Sequence, residues 1–269
     1  MPELPEMVVI ADQMARTLKG KRVRGVFIFQ PKCLNRSEDE YHRILPGEEI
    51  RGVRPVGKWV EIDLTGKVRL YISLGMGGEL CYLKKGQSPP QKTRLLVTFR
   101  DETGFFITLW WFGYFHLVLG GEVHAMTEGL GPDPLELSAS EFRALFRRRR
   151  GAVKSFLLNQ KRLRGIGNFY IQEILFKARL HPLHPIPSLS VAQVNRLHKA
   201  IQKVFNESIR LGSSSYEVDF FGRKGRYGLA NLSFAYQDEA VCPRCGAKAQ
   251  KIKTGSNAQY ICPKCQRLP

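Results

Sequence analysis

The 269-residue chain is long enough for two domains with cores of their own plus an appendage. Its 43% hydrophobic and 25% charged residues suit a soluble globular protein, and no apolar run reaches the ~18 residues of a membrane-spanning helix. A formal net charge of +18 calls for a polyanionic partner, nucleic acid or an anionic membrane surface. The N-terminus lacks the basic-then-apolar order of a signal peptide, so an intracellular protein is expected, in the cytoplasm or nucleoid if the source is bacterial, and a monomer.

The chain begins Met1-Pro2-Glu3-Leu4-Pro5-Glu6. An initiator methionine is usually trimmed before a small residue, which here makes proline the amino terminus. Terminal amines titrate near ~7.7–8.0, so part of a prolyl nitrogen is neutral and nucleophilic at cellular pH. Such an amine can attack a sugar C1′ and form an iminium, dividing one hard bond cleavage into two easier steps. Glu3 and Glu6 beside it can act as a general acid and an ordering group. Read structurally, the same six residues are a lead-in to a helix, with Pro and Glu favoured in its first turn.

Apolar residues at Met7, Ile10, Met14 and Leu18 predict that helix, stopped by Gly20. Short β-like runs follow at 23–29, 50–53, 59–64, 68–74, 95–99, 104–109 and 114–119, separated by turn residues, which is a sandwich pattern. Cys33 and Cys81 stand alone and read as packed or free thiols. A hinge rich in Gly and Pro spans 129–134, and beyond it the periodicity becomes helical: 139–149, 153–160, 169–177 and 191–211. Ser138 with Glu141 and Ser190 with Gln193 are capping boxes. The expected fold is α+β and multidomain: a β-sandwich with a leading helix at 1–130, a helical domain at 131–236, and a metal-bound hairpin at 237–269. A cleft between the first two is the natural place for a ligand.

Between 147 and 164 there are eight basic residues, Arg150 and Lys154 among them, and no acidic one, a footprint suited to a nucleic-acid backbone. Asn168 follows a Gly-Ile-Gly turn at the start of a predicted helix, where free amides favour a phosphate and where Asn also serves as an ordinary cap. Cys242, Cys245, Cys262 and Cys265 form two C-x₂-C knuckles sixteen residues apart, the spacing of one structural zinc. Four thiolates leave no open coordination position, and so short a segment draws its folding energy from the metal. A hairpin of 248–253 with 259–261, turning at Gly255, is predicted between the knuckles.

The opening PELPE, the run Gly165-Ile166-Gly167-Asn168-Phe169-Tyr170 with Glu173 and His181-Pro182 after it, and the four-cysteine finger together resemble the formamidopyrimidine-DNA glycosylase and endonuclease VIII family of base-excision repair enzymes. The resemblance spans the chain. It implies a DNA glycosylase with AP-lyase activity whose partner is damaged DNA, single- or double-stranded. In that scheme Pro2 attacks C1′, Glu3 protonates the ring oxygen, Glu6 orients the site, and Lys58 assists β-, or β,δ-, elimination. It further implies DNA contacts by Met76, Arg94, Trp110, Phe112, Arg150, Lys154, Asn168, Tyr170 and Asn257.

The sequence departs from the family pattern in four places. Ser73 and Lys92 stand where His is usual, Trp110 where an arginine contacts the orphaned base, and Asn257 where an arginine grips the lesion phosphate. Tryptophan in the wedge stacks where arginine would hydrogen-bond, so relaxed opposite-base specificity, or a preference for single-stranded or distorted DNA, is expected. Trp110 and Trp111 also fit plain packing at a strand end. Asn257 puts δ-elimination in question. The rival from another class is a noncatalytic protein that binds damaged DNA, and a third reading is an RNA-binding zinc ribbon.

Overall fold

The computed structural model describes residues 1–233, 235–254 and 257–269, Asn257 by its backbone only. The predicted turn at Gly255 and the side chain of Asn257 therefore lie outside the described residues. The chain divides into two compact units, Met1–Glu128 with Leu211–Arg226, and Gly129–Arg210 with Tyr227–Pro269.

In the first unit, α1 (Leu4–Leu18) forms where the apolar stripe predicts it, and Met7, Ile10, Met14 and Leu18 are all buried. Pro5 sits in its first turn, where the missing amide costs nothing. Strands β1 (Val23–Ile28), β6 (Leu95–Phe99), β7 (Gly104–Thr108) and β5 (Glu79–Leu83) make one antiparallel sheet in that order. A second runs β2 (Ile50–Val56), β3 (Trp59–Leu64), β4 (Arg69–Ser73), β8 (Tyr114–Val118). One apolar core joins both sheets and α1, through residues such as Ile62, Ile72, Val97, Phe105 and Phe115.

Two elements were missed by periodicity. Strand β5 follows the glycines at 75, 77 and 78, which mask its start. Helix α2 (Glu38–Ile44) is announced by Ser37 and Glu40, whose side chains and amides cap each other reciprocally, so its signal was present. Strand β2 runs further than predicted, through Pro55. It lies at a sheet edge, where a residue without an amide is tolerated. Cys33 and Cys81 are buried free thiols, as predicted, and burial pushes them up to about 11 and about 12.

Next to β8, His116 and His124 share a hydrogen bond of 3.0 Å, and His124 stacks on Tyr71 at 4.1 Å between ring centroids. Burial lowers both imidazoles, His124 to about 4. The unfolded chain therefore binds protons that the folded one refuses. The contribution of the neutral ring is full above about pH 6.5 and is lost as pH falls toward 4, an effect of roughly 2 kcal/mol. His124→Phe keeps the stacking and removes the titration. Its melting temperature is expected to change less between pH 6.5 and 4.5 than that of the native chain, measured by calorimetry at the two pH values.

The second unit holds α3 (Ala139–Ala144), α4 (Val153–Leu158), α5 (Tyr170–Ala178) and α6 (Val191–Arg210), then the hairpin β9 (Gln250–Thr254) and β10 (Asn257–Ile261). Helix α3 ends five residues short of its predicted limit. In a longer helix Arg143 and Arg147 would stand four apart and Arg147 and Arg150 three apart, like charges on one face, and Arg148 takes a left-handed conformation with φ 55° that no helix continues through. Helix α6 buries Val194, Leu197, Ile201, Val204 and Phe205 along one face and packs on α3 and α5. Among the described residues no helix is long and apolar enough to cross a membrane.

Candidate active site and metal centre

Pro2, Glu3 and Glu6 come together at the start of α1, all three buried. Glu3 N–H donates to Glu6 Oε2 at 2.8 Å, and Ser214 N–H donates to Glu6 Oε1 at 3.1 Å. One carboxylate thus ties the terminal segment to the 211–226 segment of the same unit, so Glu6 is held as an anchor. That segment is pinned again at Asp219, which accepts from Gln13 Nε2 at 2.9 Å and from the Phe221 and Arg223 amides at 2.9 Å each. The terminal amine on Met1 lies 3.3 Å from Glu217 Oε1. Lys58 is the second residue of the Gly57-Lys58 hairpin turn, which links β2 to β3 with Val56 paired to Trp59. Gly57 has φ 63°, which a residue without Cβ adopts freely.

The residues expected to enter a duplex cluster at a second place in this unit. Met76 and Trp111 form an isolated bridge, with Met76 N–H donating to Trp111 O at 2.9 Å. A side chain at Gly75 would collide with that same carbonyl at 1.8 Å, so the close approach of the two loops requires glycine there. The bridge leaves Met76, Trp110, Trp111 and Phe112 exposed at 47%, 77%, 54% and 64%. Trp110 and Trp111 therefore do not pack into a strand end. Four large apolar side chains facing solvent form a surface built to be covered. Arg94 is half-buried on the neighbouring sheet, its Nε without a partner, and Lys92 pairs with Glu79 at 3.1 Å.

In the second unit Arg150 and Asn168 are exposed, whereas Lys154 is buried and donates to Thr254 Oγ1 at 2.7 Å. Burial lowers the Lys154 ammonium from its ordinary value. Asn168 lies one residue outside the cap of α5, a position taken by Phe169. Tyr170, expected to contact DNA, is wholly buried, with its hydroxyl 2.6 Å from Ser208 Oγ. Its side chain fixes α5 on α6 and does not reach the surface. The sequence pattern could not separate the two roles, because Tyr is amphipathic.

The four cysteines converge, their Sγ atoms all within 4.8 Å of one another, with Cys242–Cys265 at 3.9 Å and Cys245–Cys262 at 3.4 Å. A tetrahedral zinc with Zn–S of about 2.3 Å needs thiolates about 3.8 Å apart. Donor type and spacing both fit zinc, with no position left for catalysis. Sequence reasoning missed how the finger is fastened. Arg244 lies over the Phe176 ring at 4.5 Å and donates to its carbonyl at 2.8 Å, Tyr260 N–H donates to Gln172 Oε1 at 3.1 Å, and Gln266 Nε2 donates to Leu180 O at 2.9 Å.

A β-sandwich led by a buried acidic helix start, a helical unit and a four-cysteine finger stand together in this chain, and the same three parts are matched in the DNA-repair glycosylases. Residues 1–109 match the formamidopyrimidine-DNA glycosylase N-terminal domain, 130–219 the H2TH domain of the same enzymes, and 241–268 the zinc finger found in FPG and IleRS. The chain belongs to the formamidopyrimidine-DNA glycosylase family, whose members are enzymes with glycosylase and AP-lyase activity. It is 32% identical to the formamidopyrimidine-DNA glycosylase of Chloroflexus aurantiacus over 99% of this chain and 98% of that one. The Geobacter metallireducens enzyme is 33% identical over 99% and 100%. Among solved structures, the Lactococcus lactis Fpg complex with abasic-site DNA superposes with a TM-score of 0.89 at 25% identity, covering 98% of this chain and 99% of that one. A Fapy-dG complex of a mutant of that protein gives 0.89 at 25% identity, over 99% and 100%.

Proposed function

We propose that the protein excises damaged bases from DNA through an iminium formed by Pro2 and cleaves the strand at the resulting abasic site by β-elimination. The observation that carries this reading is the buried start of α1, where Glu6 anchors the backbone of Glu3 and so fixes the place of Pro2 beside two carboxyl groups. With Met1 removed, the prolyl nitrogen attacks C1′ and Glu3 supplies a proton to the ring oxygen. Lys58 acts in the elimination that follows. The Lactococcus relatives bound to abasic and formamidopyrimidine DNA support a substrate of that kind. Borohydride reduction during reaction with an abasic-site oligonucleotide tests it, because an iminium becomes a stable protein–DNA adduct. Tight DNA binding with no adduct would leave only the noncatalytic reading.

Asn168 and Arg150 are assigned to the DNA backbone, and Met76, Trp110 and Phe112 to the space opened when a base leaves the stack. Lys154, held by Thr254, is assigned to keeping the finger hairpin against α4. An aromatic wedge recognises the π-face that every base shares, so cleavage is expected to vary less than about threefold with the base opposite the lesion. Trp110→Arg is expected to introduce a preference. The check is nicking of one lesion placed opposite each of the four bases. A strong native preference for cytosine would sink this assignment.

A further inference from the structure

The terminal amine is not alone. Glu217, on the 211–226 segment, sets its Oε1 3.3 Å from the nitrogen of Met1, with 19% of its side chain exposed. Two further carboxylates face it, Glu6 from α1 and Glu79 from β5, and Glu79 is itself paired with Lys92. Burial and these two carboxylates raise the Glu217 carboxyl above its ordinary range, and the amine opposes that rise. Glu6 is occupied by the Glu3 and Ser214 amides, so Glu217 is the acid that meets the terminal nitrogen. Trimming Met1 moves the amine along the chain by one residue, at most ~3.6 Å, and empties the space the methionine held. A largely buried carboxylate that loses its cation must follow it or take up a proton.

We propose that Glu217 is a further catalytic residue of this chain, the base that deprotonates the Pro2 ammonium and keeps the nucleophile available at neutral pH. This rests on the Pro2 reading above. The prolinium passes one proton to the Glu217 carboxylate. The freed lone pair forms the N–C1′ bond as the glycosidic bond breaks. The glycosidic electron pair leaves with the base, which takes a proton from water. The nitrogen then gives its remaining proton to the hydroxide so formed, and its lone pair expels O4′, which takes a proton from Glu3. The products are the iminium, the free base, a protonated Glu217 and an ionised Glu3.

Proton transfer within the pair needs one shared proton, so the native rate is flat between the two titrations. Without Glu217 the rate must follow the free amine alone, climbing tenfold per pH unit up to ~8. The experiment is single-turnover borohydride cross-linking to abasic DNA from pH 5.5 to 9.5, with native protein, Glu217→Gln and Glu217→Asp, each confirmed by mass spectrometry to begin at Pro2. Glu217→Gln is expected to be slower by about 10- to 100-fold at pH 6.5 and by less than threefold at pH 9, with KM for DNA unchanged. Glu217→Asp is expected to restore part of the flat region. An unchanged pH profile in Glu217→Gln, or a loss of equal size at every pH, overturns the proposal while native cross-linking leaves the Pro2 reading standing. Absence of cross-linking in the native protein overturns both.

Discussion

Replacing Pro2 with leucine, too large for the methionine ahead of it to be trimmed, is expected to slow borohydride cross-linking to abasic DNA by about a thousandfold or more. The nucleophile is then a residue too early, and its amine is primary. A primary amine must lose two protons to give a neutral imine, whereas proline reaches a charged iminium that withdraws electrons at any pH. The fold should survive, because α1 is held by the Met7, Ile10, Met14 and Leu18 stripe and by the Glu6 contacts, none of which uses the Pro2 ring. DNA affinity, measured by anisotropy, is therefore expected within about twofold of native, since backbone charge dominates it. Cross-linking at the native rate by a chain shown to carry Met1 would remove the mechanism and leave a DNA-binding protein.

The parts of this site that were legible in the sequence are those whose chemistry is local. PELPE places an amine and two acids within one helical turn, and two C-x₂-C knuckles make a tetrahedral donor set almost by themselves. Residues brought together by tertiary packing were not legible. Glu217 lies more than two hundred positions from Met1, and only the packing of the 211–226 segment against the chain terminus brings the two together. Lys154 was read by its charge, and its burial against Thr254 a hundred positions later could not be foreseen. For Tyr170 the motif gives the position at the start of α5, but the direction of its side chain, which the sequence does not carry, sets the ring in the core. The wedge lay between these cases. The tryptophans could pack or project, and the Met76–Trp111 bridge with its glycine cradle makes them project.

Removing the metal is the second change expected to act strongly, because the finger has almost no apolar core. Its buried cluster is Phe176 with Cys242 and Cys262, bordered by Ala247, Ala249 and Cys265, so half of that cluster is ligand. A structural zinc site of this type contributes about 10–16 kcal/mol at neutral pH, far more than such a cluster can replace. Without it the knuckles open, and the contacts that fasten the finger, Arg244 to Phe176, Tyr260 to Gln172, Gln266 to Leu180 and Lys154 to Thr254, lose their geometry together. Lys154 then becomes a buried ammonium with its acceptor gone, a cost that spreads the damage into α4. The β-sandwich uses none of these residues and should keep its own melting transition. Chelation under reducing conditions is thus expected to abolish one calorimetric transition, leave the other, and lower DNA affinity by about a hundredfold, with recovery on adding zinc. Cys262→Ser should reproduce the effect and resist rescue, since its buried sulfur is the ligand whose loss the finger can least accommodate. Full affinity in the chelated protein would mean that the finger holds its shape by packing alone.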